Sequence, residues 1–288
     1  MFRIHIFLFM KFVAATTSMV GKIVFVVMLL AVALGVQARK FVHPGVLTVT
    51  KSIERMRSQI DNKEYPAYGS FVLLRNHHCS KSDYKPFGPF EVIARDGEFR
   101  YTKSKMEQDF SAVYQNALMW CLTGDKAHAE KSLELLLGYA RTLKRIPDTN
   151  DAPLLAGIEG WKIAYATEML RYTYDGMADS QFDEICDMIR KVFLPVMDTF
   201  FNRKAYTNGN WGPIVTKAYM ASGILLDNEK MYNKAIDFYL HANDNGTIAN
   251  YISGATGQIQ ESGRDQAHCM LGIGALATVC EMAWQQGD

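Results

Sequence analysis

Apolar positions recur at helical spacing through most of the chain. Phe110, Val113, Tyr114, Ala117, Leu118 and Cys121 share one helix face, and Thr123-Gly124-Asp125 supplies a stop. Leu133, Leu136, Leu137 and Ala140 repeat the pattern before a loop from Pro147 to Pro153. Further stripes follow at Ile158, Trp161, Tyr165, Met169 and Tyr172, and at Phe182, Ile185, Ile189, Val192 and Val196. Trp211, Val215, Ala218, Ser222 and Leu225 form the next, then Met231, Ala235, Phe238 and Ala242. Upstream, Thr48 or Thr50 can cap a polar helix carrying Ile53, Met56 and Ile60. Residues 65–104 are rich in Tyr, Gly, Pro and His and hold no period, so they read as a long irregular arm. A turn or short hairpin is expected over 244–260.

No strand alternation and no fixed-length repeat is visible. Helix pairs joined by short turns either stack as a solenoid or close into an α/α toroid, whose cavity is lined by the N-terminal ends and loops of its inner helices. The aromatic loops favour an all-α, incomplete (α/α) toroid over residues 39–288. The final helix, 264–285, has no partner within the sequence, which leads us to expect a C-terminal portion beyond Asp288.

The chain has 31 Lys and Arg against 30 Asp and Glu. Its first 38 residues hold Arg3, Lys11 and Lys22 and no acidic residue, leaving a nearly balanced body with no electrostatic footprint for nucleic acid. Lys22, the apolar run Ile23 to Val36, and Val36-Gln37-Ala38 read as a secretory signal peptide over 1–38, with Met19 a second possible initiator. The run is short for a stable membrane span. Export to the periplasm or the bacterial cell surface is the expectation. Cys79, Cys121, Cys186, Cys269 and Cys280 are odd in number and scattered, and read as small buried hydrophobes rather than a disulfide framework or a metal site.

Two polar clusters carry candidate chemistry. In Glu261-Ser262-Gly263-Arg264-Asp265-Gln266-Ala267-His268, Ser262 and Asp265 have the form of a capping box, so a helix is expected from Gly263, with Arg264 and His268 one turn apart on its face. The dipole and the guanidinium would bias His268 towards the neutral imidazole of a general base. The bland alternative, a helix start dressed with solvated polar groups, has equal weight. Tyr206-Thr207-Asn208-Gly209-Asn210-Trp211-Gly212 offers amides, a flat indole and two glycines that allow close backbone approach. A turn with one buried Trp is the plain alternative. His77 and His78 form a third candidate, more simply explained as exposed loop residues.

Such a mixture suits β-elimination from a polyuronate. Amides and a guanidinium neutralise the C5 carboxylate, an uncharged His takes the C5 proton, and a Tyr can protonate the leaving O4. No metal or cofactor is needed. A glycoside hydrolase would want two carboxylates flanking the bond, whereas Glu261 and Asp265 sit beside Arg264 and look like orienting partners.

Asn208-Gly209-Asn210-Trp211-Gly212 followed by Gln260 to His268 resembles the alginate lyase family of exported bacterial polysaccharide lyases. His43-Pro44-Gly45, Tyr114-Gln115-Asn116-Ala117-Leu118 with Trp120, and Glu281 to Asp288 add to the likeness. The resemblance implies an incomplete α/α toroid and uronate β-elimination on alginate or glucuronan. It makes Asn208 or Asn210 similar to the carboxylate-neutralising amide, Arg264 to the substrate-binding arginine, and places His268 near the base-acid residue. Well-studied members show a His after paired asparagines and a Tyr near the position of His268, where this chain has Trp211 and His268. The acid is then Tyr206, Tyr251 or a Tyr beyond residue 288. Trp211, Gln266, Glu261, His77, His78 and Tyr251 complete the expected substrate contacts. The alternatives are an unsaturated-uronate hydrolase on the same toroid and a non-catalytic glycan-binding protein of the cell surface.

Overall fold

The computed structural model describes residues 39–203 and 209–288, so the signal-peptide segment, Tyr206 and Asn208 lie outside the described residues. Within the unit 41–288 the elements are α1 (Thr50–Asp61), α2 (Ala67–Asn76), α3 (Lys103–Thr123), α4 (Lys126–Thr142), α5 (Ala152–Thr173), α6 (Asp179–Met188), α7 (Leu194–Phe200), α8 (Trp211–Leu225), α9 (Glu229–His241), the single turn α10 (Ile248–Tyr251) and α11 (Gln266–Gln285). Among the described residues there is no strand; Val92 with Arg145 and Ile252 with Ile259 form isolated bridges.

The core is organised by α5. Its whole circumference from Ala152 to Leu170 is buried except for a narrow stripe at Leu154, Ile158, Trp161 and Lys162. A helix covered on every other side must be flanked by helices on both edges and backed by more. On one edge α3 runs parallel to it: the Lys162 ammonium meets Ser111 Oγ at 3.2 Å, the rings of Tyr114 and Trp161 lie 5.4 Å apart, and Trp120 Nε1 donates to Thr173 Oγ1 at 2.9 Å. On the other edge α8 approaches closely because Gly157 has no side chain; a Cβ there would come within 2.7 Å of Ile214. Against α8 lies α11, through Gly272, Ala275, Leu276, Val279 and Met282. These four helices form the inner layer, all starting at the same end.

Outer helices back them. Asp125 caps α4, its carboxylate accepting from Ala127 N at 3.0 Å, and Asn228 caps α9, accepting from Met231 N at 3.1 Å. Between α6 and α7 the chain passes through a π-helical turn, Ile189–Phe193. Pro195 just beyond it has no N–H to give, which accounts for the shifted ladder. The turns from inner to outer helix are short (124–125, 174–178, 226–228), whereas the returns are long (143–151, 201–210, 242–265). The long returns all sit at the end where inner helices begin.

The arm 65–104 is more ordered than its composition suggests. It contains α2, of which only Phe71 is buried, so no apolar period could announce it. The run after Tyr84 is pinned by buried Asp109, which accepts from the hydroxyls of Tyr84 at 2.9 Å and Tyr139 at 2.7 Å and from the backbone N–H groups of Phe87 and Gly88. Asn116 donates to Cys79 O at 2.9 Å and meets His128 Nδ1 at 2.7 Å. Further upstream, His43 binds Glu168 through Nδ1 and Asp227 through Nε2 at 3.1 Å, while stacking on Tyr172.

Cys79, Cys121 and Cys186 are buried as expected, but Cys269 is half-buried and Cys280 exposed; all five are free. The expected start of the last helix at Gly263 is corrected: α11 opens at Gln266 with Asp265 as its cap, and Ser262 instead accepts from Ile259 N at 3.0 Å. On length and composition α11 could cross a membrane, with mean hydropathy 1.3. In the fold it is an inner helix that leaves Met270, Leu271 and Trp284 exposed.

Candidate active site

At the end where the inner helices begin, a cleft of about 600 Å³ is lined by Arg95, Asn150, Asp151, Leu154, Ile158, Arg203, Gly209, Asn210, Trp211, Asn245, Glu261, Arg264, His268 and Leu271. Each long return contributes: Asn150 and Asp151 before α5, Arg203, Gly209 and Asn210 before α8, Asn245, Glu261 and Arg264 before α11. The starts of α5 and α8 carry no side-chain cap, so the positive ends of two helix dipoles face this space.

His268 lies in the first turn of α11. The Asp265 carboxylate accepts the His268 backbone N–H with one oxygen at 2.8 Å and meets the ring Nδ1 with the other at 2.6 Å. One residue therefore caps the helix and fixes the imidazole: Nδ1 carries the proton that bonds to the carboxylate, and Nε2 is left as the acceptor. The backbone N–H first, and the imidazole with it, hold the Asp265 carboxyl below its ordinary range. Arg264 precedes the helix, so the expected one-turn pairing with His268 on a helical face is not formed. Its guanidinium instead reaches Glu261 Oε2 at 3.2 Å and lies 3.9 Å from Asp265, and the side chain is 58% exposed, free to turn towards a ligand.

Asn210 ties two segments of the scaffold together. It is buried, its Nδ2 donates to His268 O at 2.9 Å, and its Oδ1 accepts from the Tyr251 hydroxyl. One amide N–H and the amide oxygen thus bind the scaffold, while the residue also lines the cleft. Tyr251 is equally buried, 1% exposed, and burial, with Glu261 and Cys269 adding to it, pushes its hydroxyl up to about 12. It does not line the cleft, so its expected roles as proton donor and as substrate contact are corrected. Both residues serve to lock the starts of α8 and α11 together, over Gly272, where any side chain would overlap them.

The glycines act in the same way. Gly209 has a left-handed backbone, φ +46°, and donates to Asn245 Oδ1 at 2.5 Å. A Cβ on Gly212 would stand 2.8 Å from Gly246 Cα. The close approach foreseen from sequence is thus between two chain segments.

Trp211 and Glu261 line the cleft, whereas exposed Gln266 does not. His77 and His78 also lie outside it, on a short turn where His78 Nε2 meets Gln108 Oε1 at 3.1 Å; with Cys79 their ligand atoms fall within 4.8 Å of one another. Sequence reasoning missed Arg95, Asn150, Asp151, Arg203 and Asn245. Arg95 binds Glu107 and lies 3.9 Å from Asp151, and the Arg203 guanidinium covers the Trp211 ring at 5.5 Å. Arg203 stands close enough to the Tyr206–Gly212 cluster to have been counted with it; the others are single polar residues in long connections.

The cleft therefore combines three guanidiniums, two helix starts, an indole and an oriented imidazole: a surface for an anionic, ring-shaped ligand with a base beside it. The fold is similar to that of alginate lyase A1-III from Sphingomonas species A1, with a TM-score of 0.62 and 12% identity over 82% of this chain and 70% of that one. It is similar also to a His-to-Ala and a Tyr-to-Phe variant of alginate lyase A1-III, each complexed with a tetrasaccharide, with TM-scores of 0.63 and 0.62, identities of 12% and 13%, and coverage of 82% of this chain and 68% and 69% of theirs. No curated protein sequence matches the chain significantly. The sequence model of the alginate lyase family, however, matches residues 75–288, and the chain belongs to that family.

Proposed function

We propose that this polysaccharide lyase cleaves its uronate polymer by β-elimination with His268 as the base. The observation that carries the reading is the Asp265–His268 pair: the carboxylate holds the Nδ1 proton, so Nε2 is presented as a proton acceptor beside Arg264. In the reaction Arg264 turns from Glu261 to the substrate carboxylate, drawing charge from C5 and making its proton acidic. His268 Nε2 takes that proton, the electron pair forms the C4–C5 double bond, and the C4–O4 bond breaks. The leaving O4 takes a proton from Tyr206 or from solvent. Electrostatic and acid-base contributions of this type are each worth about a hundredfold or more in rate.

Arg203 on Trp211 and the helix starts supply further positive potential for neighbouring units of the chain. The carboxylates lining the cleft, Glu261 and Asp151, are each within reach of a guanidinium, which suits orientation rather than the paired acid and nucleophile of a hydrolase. Alginate and glucuronan are both uronate polymers that fit this chemistry. Export, for which the apolar run at 23–36 argues, would bring the enzyme to such extracellular polymers.

The test is incubation of the protein with alginate, polymannuronate, polyguluronate and glucuronan while following ultraviolet absorbance. A lyase creates the 4,5-unsaturated chromophore, and a hydrolase of unsaturated uronates consumes it. Absence of new absorbance on all four polymers, or its loss with an unsaturated oligomer, would refute the reading.

A further inference from the structure

The stripe that α5 leaves uncovered does not end at the cleft. Ile158 lines the cleft, and Trp161 and Lys162 follow it one turn deeper, about 6 Å along the axis. Facing them are Ser111 and Tyr114 from α3 and Lys217 from α8. The cluster thus continues the inner wall of the toroid from the cleft.

Its charges do not balance. Lys162 bonds to both oxygens of Glu159, at 3.0 and 3.3 Å, and to Ser111 at 3.2 Å, which engages its three N–H donors. Lys217 makes no hydrogen bond or ion pair among the described residues; its ammonium rests on the face of Trp161, 4.3 Å from the ring centroid. Two ammonium groups therefore share one carboxylate, and that carboxylate is fully buried behind them. Glu107, one turn away on α3, is already bound to Arg95. Holding a cation away from water without a counter-ion is costly, and a cation–π contact offsets only a part of it. The environment shows the strain: burial, with Lys162 beside it, pushes the Lys217 ammonium down to about 8, and burial pushes the Glu159 carboxyl up to about 7. A site with this deficit is completed by an anion from outside.

We propose that Lys162 and Lys217 form a carboxylate-binding subsite, with Trp161 as its floor, that holds a uronate unit next to the one being cleaved. This rests on the uronate-lyase reading and extends it from the bond-breaking centre to a neighbouring sugar. The unused donors of Lys217 would bind the carboxylate, with the Lys162 charge beside it, and the partly exposed faces of Trp161 and Tyr114 would lie along the ring.

The experiment measures binding apart from cleavage. In the full chain carrying His268→Ala, the affinity for an oligomer of the polymer that the parent cleaves is measured by calorimetry, alongside the same oligomer with its carboxylates reduced to alcohols. Lys217→Met and Lys162→Gln should each weaken binding of the acidic oligomer about tenfold or more, the scale of a charge-assisted hydrogen bond, while Lys217→Arg retains most of it. Binding of the reduced oligomer should be nearly unaffected. On the parent background the same substitutions should raise KM and leave kcat within about twofold, as for lost uniform binding. If Lys217→Met melts higher than the parent but binds the acidic oligomer equally well, the lysine is only a packing element and the proposal is overturned. If the parent cleaves no uronate polymer and the His268→Ala protein binds no uronate oligomer, the reading beneath it falls as well, so the two failures are distinct.

Discussion

Asp265→Asn separates the two duties of one side chain. Both oxygens of Asp265 are in use, one on the helix start at 2.8 Å and the other on the imidazole at 2.6 Å. Asparagine is as good a helix cap as aspartate, so its amide oxygen can keep the backbone bond, and the melting temperature should stay within about 3 °C of the parent. The other atom becomes an N–H donor pointing at Nδ1. To accept from it, the imidazole must move its proton to Nε2, and the proton acceptor facing the cleft is then lost. The expected result is a fall in kcat of about a hundredfold or more, the scale of a removed general base, with KM little changed. The assay is the initial rate of ultraviolet absorbance on the preferred polymer, with circular dichroism as the control for folding. Asp265→Ala should lose activity and also melt lower, since it removes the cap as well. Turnover by Asp265→Asn close to that of the parent, in a folded protein, would refute the assignment of His268 as base.

Arg264→Ala should lower kcat by about a hundredfold or more at an unchanged melting temperature, because the side chain is largely exposed and its ion pairs among the described residues are with Glu261 and Asp265; equal losses of stability and activity would count against its role at the substrate carboxylate. Gly272→Ala would drive a methyl group into the Tyr251–Asn210 pair and should cost about 2–4 kcal/mol by overpacking and a broken hydrogen bond, whereas Gly274→Ala, with open space around it, should be neutral or slightly stabilising; identical melting curves would show that the lock is absent. Glu159 has its carboxyl raised to about 7 in the fold against an ordinary 4.5, so the folded state holds an extra proton between those values and its stability contribution falls as pH rises through that window. Glu159→Gln should therefore gain on the parent between pH 4.5 and 7.5 by on the order of 3 kcal/mol in denaturant unfolding, and a constant difference across that range would exclude a raised carboxyl.

The helices that announce themselves in the sequence are those whose burial is one-sided or complete: α3, α4, α5, α8 and α9 carry enough regularly spaced apolar residues to declare both type and extent. Helix α2 does not, because a single buried Phe71 leaves no period to detect. The cap of α11 illustrates a different limit. Ser262 and Asp265 both have the chemistry of a cap, and only the fold decides between them, by using Ser262 to close a turn onto Ile259. The same ambiguity hid the contact between Asn210 and Tyr251. An amide and a phenol beside an active centre look alike whether they face the ligand or each other, and here burial turns them inwards. His268 and Arg264 were legible because a dense polar cluster running into an apolar helix is uncommon. Arg95, Asn150 and Asp151 were not, since nothing in their local sequence states that segments more than a hundred residues apart from Arg264 end beside it.

The unequal connections of the toroid have a practical consequence. Most of the polar groups lining the cleft come from the long returns and the first turns that follow them, while the short reversals, such as that at Gly124 and Asp125, stand roughly 30 Å away along helices of this length. A peptide handle grafted at that distal edge would leave the mouth of the enzyme open, so the molecule could be tethered to a solid support with its working side turned outwards to a viscous polymer solution.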